Sequence, residues 1–145
     1  MKIYVASSWR NDRQPEVVRA LRQVGHEVYD FRHPHGEDSG FSWAEINPEW
    51  PATTAEQFRD SLEDARVVQG FDLDMTALRD CDACVMVQPC GRSAALELGW
   101  AAGAGKATLV LLADVEPELM LKMADYFCVD IPEVLSTLEA IETHS

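Results

Sequence analysis

The chain has 145 residues, 47% of them hydrophobic and 26% charged, the proportions of a globular domain that can bury roughly two-thirds of its unfolded surface without staples. With 25 acidic residues against 12 basic ones, its formal net charge of −13 argues against a nucleic-acid polymer or an anionic membrane face as partner, and leaves a small anion possible in a locally basic pocket. No stretch has the length of a membrane span and the apolar opening is too short for a secretory signal, so a single cytoplasmic domain over 1–145 is expected.

Lys2–Ser7 (KIYVAS) reads as a first strand, followed by a polar loop over Ser8–Arg13. Pro15 opens a helix with an apolar face of Val17, Val18, Leu21 and Val24, which Gly25 stops. His26–Tyr29 is a short second strand. From Asp30 to Ala52 the chain is irregular, with Pro34, Gly36, Gly40, Pro48 and Pro51 set among Phe31, Phe41, Trp43 and Trp50. This aromatic insertion, at about 31–52, is too long for a simple connection. A lid over a planar ligand, with Trp43 touching it, is one account, and aromatics packed on the side of the domain are the other.

Thr53 with Glu56 reads as a capping box opening a helix to about Arg66, and Phe71–Arg79 reads as a short acidic helix with Asp72 and Asp74 in its first turns. Ala83–Val87 (ACVMV) is continuously apolar, as a strand covered on both faces is. Pro89, Cys90 and Gly91 break it, and a helix runs over Ser93–Gly103 with Glu97 in its first or second turn. A carboxylate there is kept ionised by the helix dipole, which suits a nucleophile; a solvated surface Glu is the plainer alternative. Thr108–Leu112 is a fourth strand, Pro117–Ala124 a helix, Phe127–Val129 a fifth strand, and Asp130 with Glu133 caps a last helix.

Alternation of strand and helix with apolar strands predicts an α/β fold: a five-stranded, mostly parallel sheet with helices on both faces. Ligands of such sheets bind beyond the carboxyl ends of the strands, where Ser7–Arg13, the stretch from Phe31 and Gln88–Ser93 fall. Cys81-x-x-Cys84 and His33-Pro34-His35 lack the further ligands a metal site needs, so the cysteines read as buried free thiols and neither metal nor cofactor is expected.

Tyr4-x-x-x-Ser8-x-Arg10, Asp74 eight residues before Asp82, and Ser93-x-x-x-Glu97-Leu98-Gly99 together resemble the nucleoside 2-deoxyribosyltransferase superfamily, most closely its branch of 2′-deoxynucleoside 5′-monophosphate N-glycosidases. The resemblance covers the first four strands and skips Phe31–Val68. It implies a Rossmann-like or flavodoxin-like enzyme that cleaves the base–sugar bond of a nucleotide through a covalent glycosyl-Glu97 intermediate. Asp74 would serve the leaving base and Tyr4 would support the nucleophile. Ser8, Trp9, Arg10, Gly91, Arg92 and Ser93 would bind the phosphorylated sugar, with Asp72 beside Asp74. It also implies a homodimer or larger homo-oligomer with shared active sites, for which Met120, Met123 and Asp125 and the small residues Ala94, Ala101 and Ala104 are interface candidates. Ala95 replaces a family Gly, and the loop after the first strand lacks the usual Gly pair. Base exchange between nucleosides, a TIR-like glycohydrolase acting on NAD or a ribonucleotide, and a non-catalytic nucleotide-binding module are the alternatives. The last sits poorly with the presence of Glu97, Asp74 and Tyr4 together.

Overall fold

A computed structural model describes residues 1–36 and 39–144 of the chain; Glu37 and Asp38, in the irregular stretch, lie outside the described residues. The chain divides into two compact units, residues 1–30 with 78–145, and residues 31–77.

The first unit is the α/β sheet. Strands β1 (Lys2–Ala6), β2 (Glu27–Asp30), β3 (Ala83–Val87), β4 (Ala107–Leu111) and β5 (Tyr126–Cys128) lie in the order β2-β1-β3-β4-β5, with parallel pairing throughout the described residues. This is a doubly wound order, and its topological switch point falls between β1 and β3. On one face Ile3, Val5, Val85, Val87, Leu109 and Leu111 pack against α1 (Gln14–Gln23) and α5 (Ile131–Thr143). The alternate residues Tyr4, Ala6, Cys84, Met86, Thr108 and Val110 are equally buried on the other face, against α4 (Arg92–Gly103). Burial on both faces explains why β3 reads as an unbroken apolar run.

Inside α4, Ala94, Leu98 and Ala101 face the sheet and are at most 5% exposed. Ala94 and Ala101 therefore let the helix approach its own sheet and cannot form the intersubunit face expected of them. Asp125 remains exposed while its carboxylate accepts the Thr108 N–H at 3.0 Å and hydroxyl at 3.2 Å. Val24, expected on the apolar face of α1, is exposed. The helix expected over Pro117–Ala124 is a 3₁₀ turn, Leu119–Met123, and β5 begins one residue earlier than expected.

The second unit holds α2 (Ala55–Ser61), most of α3 (Ala65–Asp80), and 3₁₀ turns at Trp43–Glu45 and Trp50–Ala52. Trp43 lies edge-on to Phe41, centroids 5.1 Å apart, and 5.7 Å from Phe58, so these aromatics pack on one another, though none of the three is buried. The capping box is Thr54 with Gln57, one residue beyond the expected pair. Thr53 is unavailable because its hydroxyl turns back to the Trp50 carbonyl, ending the preceding 3₁₀ turn.

The two helices expected over this region are divided elsewhere. The break falls at residues 62–64, where the Asp64 carboxylate takes the Arg66 backbone N–H at 2.9 Å and its guanidinium at 3.0 and 3.1 Å. α3 then runs for 16 residues straight through Gly70. A Cβ at Gly70 would stand 2.8 Å from the Phe41 Cβ, so glycine is there for close packing rather than to end a helix. Asp72 and Asp74 consequently sit in mid-helix. No helix among the described residues is long and apolar enough to cross a membrane.

Candidate active site

The carboxyl edge of the sheet between β1 and β3 is built from two loops that clasp one another. After β1, the Ser7 hydroxyl donates to the Val87 carbonyl at 2.9 Å. The Asn11 side-chain amide, on a residue only 2% exposed, lies 2.9 Å from each of Ser7 Oγ, Val87 O and Pro89 O. Arg13 reaches across with one guanidinium nitrogen to the carbonyls of Gln88 at 2.8 Å and Leu112 at 3.2 Å. These bonds tie the β1–α1 loop to the ends of β3 and β4.

Past β3 the chain turns through a cis Gln88–Pro89 bond and Cys90 to Gly91, the extended N-cap of α4. Gly91, as the N-cap, has no side chain with which to cap the helix. The first N–H groups of α4 and the positive end of its dipole therefore face outward at the carboxyl edge of the sheet, an arrangement suited to an anion. Gly91, Arg92 and Ser93 are all exposed there.

Glu97 is the sixth residue of α4, on its second turn, and is half-buried. Its charge is felt by two thiols. Burial, and then the Glu97 carboxylate, push Cys90 up to about 11. Cys84 is held well above the usual thiol range by its burial first, then by Cys81 and Glu97. Glu97 thus lies over the α4 face of β3, where Cys84 is the register partner of Tyr4. Tyr4 is fully buried and stacks on Tyr29 at a centroid distance of 5.4 Å. A half-buried carboxylate, a buried phenol and an open helix end are therefore set on one face and one edge of the sheet.

Of the residues singled out in the sequence, Tyr4, Ser8, Trp9, Arg10, Gly91, Arg92, Ser93 and Glu97 all belong to the first unit. Ser8 is half-buried, whereas Trp9 and Arg10 are exposed. Asp72, Asp74 and Trp43 belong to the second unit, where Asp74 and Trp43 are half-buried and Asp72 is exposed. Two residues apart on one helix, Asp72 and Asp74 point to different sides of α3. Sequence reasoning missed Ser7, Asn11 and Arg13, because a polar loop carries no periodicity that separates an inward amide from an outward one. Among the described residues no group of three or more His, Cys, Asp or Glu side chains could hold a metal ion.

No protein-family profile matches the sequence, and no curated protein sequence matches it. Its fold is that of a 2-deoxyribosyltransferase of Bacillus psychrosaccharolyticus, with a TM-score of 0.64 and 20% identity over 92% of this chain and 90% of that one. The structure of the CMP N-glycosidase BcmB of Clostridium botulinum is also similar, with a TM-score of 0.55 and 19% identity over 96% of this chain and 99% of that one. At these identities the likeness is one of fold.

Proposed function

We propose that the chain is an enzyme of the nucleoside 2-deoxyribosyltransferase superfamily that breaks the N-glycosidic bond of a nucleoside 5′-monophosphate, with water as acceptor. The observation that carries this is the placement of Glu97, half-buried on the second turn of α4 over the face that holds Tyr4, close to an uncapped helix end. The likeness of fold to a deoxyribosyltransferase and to an N-glycosidase supports the reaction class.

In this reading a Glu97 carboxylate oxygen bonds to the anomeric carbon as the C–N bond breaks. The base leaves with the bonding pair and takes up a proton, a role assigned by resemblance to Asp74. Water then attacks the anomeric carbon and the ester bond to Glu97 breaks. The sugar phosphate departs with the water's oxygen and one of its protons, the other proton returns to Asp74, and the Glu97 carboxylate is restored. Tyr4 orients Glu97. Ser8, Arg10 and the Gly91–Ser93 turn bind the 5′-phosphate through a guanidinium and helix N–H groups, each charge-assisted bond being worth about 1.5–3 kcal/mol. Trp9, Trp43 and Asp72 are candidates for contacts to the rest of the substrate. A second copy of the chain completes the site.

The test is mass spectrometry of the products formed from a panel of nucleosides, their 5′-monophosphates and NAD, with and without an added free base. Release of base from a monophosphate in water is the expected outcome. Products containing the added base would convert the reading to transfer, and cleavage of NAD alone would convert it to a glycohydrolase of that cofactor. Glu97→Gln should lower kcat by about 10³-fold or more while leaving substrate affinity within a few-fold. Arg10→Ala and Arg92→Ala should each weaken the monophosphate selectively.

A further inference from the structure

We infer that Asn11 is a positioning residue that sets the distance between the two halves of the anion-binding end of this site, an inference that rests on the nucleotide reading above. One half is Ser8–Arg10, on the loop after β1; the other is Gly91–Ser93, at the start of α4. Both hang from the same carboxamide. Its Nδ2 lies 2.9 Å from Ser7 Oγ at the end of β1, 2.9 Å from the Val87 carbonyl at the end of β3, and 2.9 Å from the Pro89 carbonyl two residues before the N-cap of α4. Its Oδ1 accepts the Arg13 backbone N–H at 2.8 Å, and its own backbone N–H donates to the Ser8 carbonyl at 3.2 Å.

The chemistry of these partners selects an amide. Val87 O and Pro89 O are carbonyls that can only accept, so the atom facing them must donate; the Arg13 N–H can only donate, so the atom facing it must accept. Ser7 fits either way: its own proton goes to Val87 O, so the two Nδ2 protons serve Pro89 O and Ser7 Oγ, with Val87 O sharing one of them. Aspartate has the same outline but would press a carboxylate oxygen against three oxygens around a buried side chain, and alanine would remove the donor to Pro89 O and leave Val87 O to Ser7 alone. Arg13 adds a second clasp one residue before Pro89, at the Gln88 carbonyl. Asn11 acts through these segments and not on the reacting atoms. Loosening it should therefore cost phosphate recognition more than the step at Glu97.

The experiment measures kcat and KM of the full chain for a 5′-monophosphate and its parent nucleoside, in the wild type and in Asn11→Asp. The expected result is a KM for the monophosphate raised about 10- to 100-fold, the order a displacement of about 1 Å can cost. Its kcat, and both constants for the nucleoside, should stay within about threefold. Equal losses on the two substrates, a loss confined to kcat, or unchanged constants overturn the inference. If Asn11→Asp does not fold, Ser7→Ala decides instead: a rise of threefold or more in KM for the monophosphate alone supports the inference, and a smaller or unselective change overturns it. If the wild type turns over no nucleotide, the activity reading fails on its own, and Asn11 is judged by calorimetry with inorganic phosphate. A tenfold or greater loss of phosphate affinity in the variant then supports it. Equal affinity, or a wild type that binds no phosphate, overturns it.

Discussion

After burial, the Glu97 carboxylate is the second cause that raises the Cys90 thiol, so Cys90 can report on Glu97. With its thiol at about 11, Cys90 is almost wholly protonated near neutral pH, and only the thiolate is alkylated. The rate of iodoacetamide labelling at Cys90, followed by peptide mass spectrometry, should therefore rise about tenfold per pH unit through the alkaline range and level off near 11. A nearby negative charge disfavours the thiolate, so Glu97→Gln should lower the thiol pKa and speed labelling at pH 8. Burial is the larger cause and stays in place, so the value will not fall all the way to that of a free thiol. An unchanged labelling rate in the Gln variant would place the carboxylate away from Cys90. The carboxylate itself was legible in the sequence, since a Glu shortly after a strand, a Pro/Gly break and a helix start is a local pattern. Asn11 and Arg13 were not, because their partners are 75 to 99 residues distant in the chain, at the ends of strands whose adjacency only the fold creates.

Strands and helices differed in how readily they could be read. Parallel strands buried on both faces are continuous apolar runs, and β1, β3 and β4 fall within a residue of where those runs lie. Helix boundaries in the second unit depend on side-chain caps and packing. The true break at residues 62–64 contains neither Gly nor Pro, while Gly70, which looks like a break, lies inside α3 close against Phe41. Alanine in place of a mid-helix glycine ordinarily gains about 1 kcal/mol, but a side chain forced into filled space costs about 1–3 kcal/mol. Gly70→Ala should thus be destabilising by about 1 kcal/mol in chemical denaturation. Gly99→Ala, whose Cβ would meet only the Met123 Cε at 3.9 Å, should be neutral or stabilising. A higher denaturation midpoint for Gly70→Ala would mean that Phe41 yields freely and that the glycine has another purpose.

At the scale of the whole molecule, the first unit leaves large apolar side chains in solvent at several places, one of them the 3₁₀ turn over Leu119–Met123 and the neighbouring α4. Leu119, Met120 and Met123 are 84%, 65% and 54% exposed on the 3₁₀ turn, and Leu96 and Trp100 are exposed on the outer side of α4. Gly99 brings the two elements together through Met123. Exposed apolar side chains grouped in this way suit an interaction site, and the proposed second copy is their expected occupant. Sedimentation at micromolar concentration should give a dimer or larger species, and Met123→Glu should shift it toward monomer with loss of activity; a fully active wild-type monomer would refute the shared site. The open end of α4 has a consequence that can be read with a thermometer. Its N-cap is a glycine that offers no side-chain cap, and the unfolded chain has no such cradle at all, so an anion held there binds one state and not the other. At a hundredfold excess over its dissociation constant such an anion adds about 2.7 kcal/mol to the folded state. That corresponds to a melting temperature higher by about 5–10 °C. Candidate substrates and products can therefore be ranked by heating the protein in their presence, before any turnover has been observed.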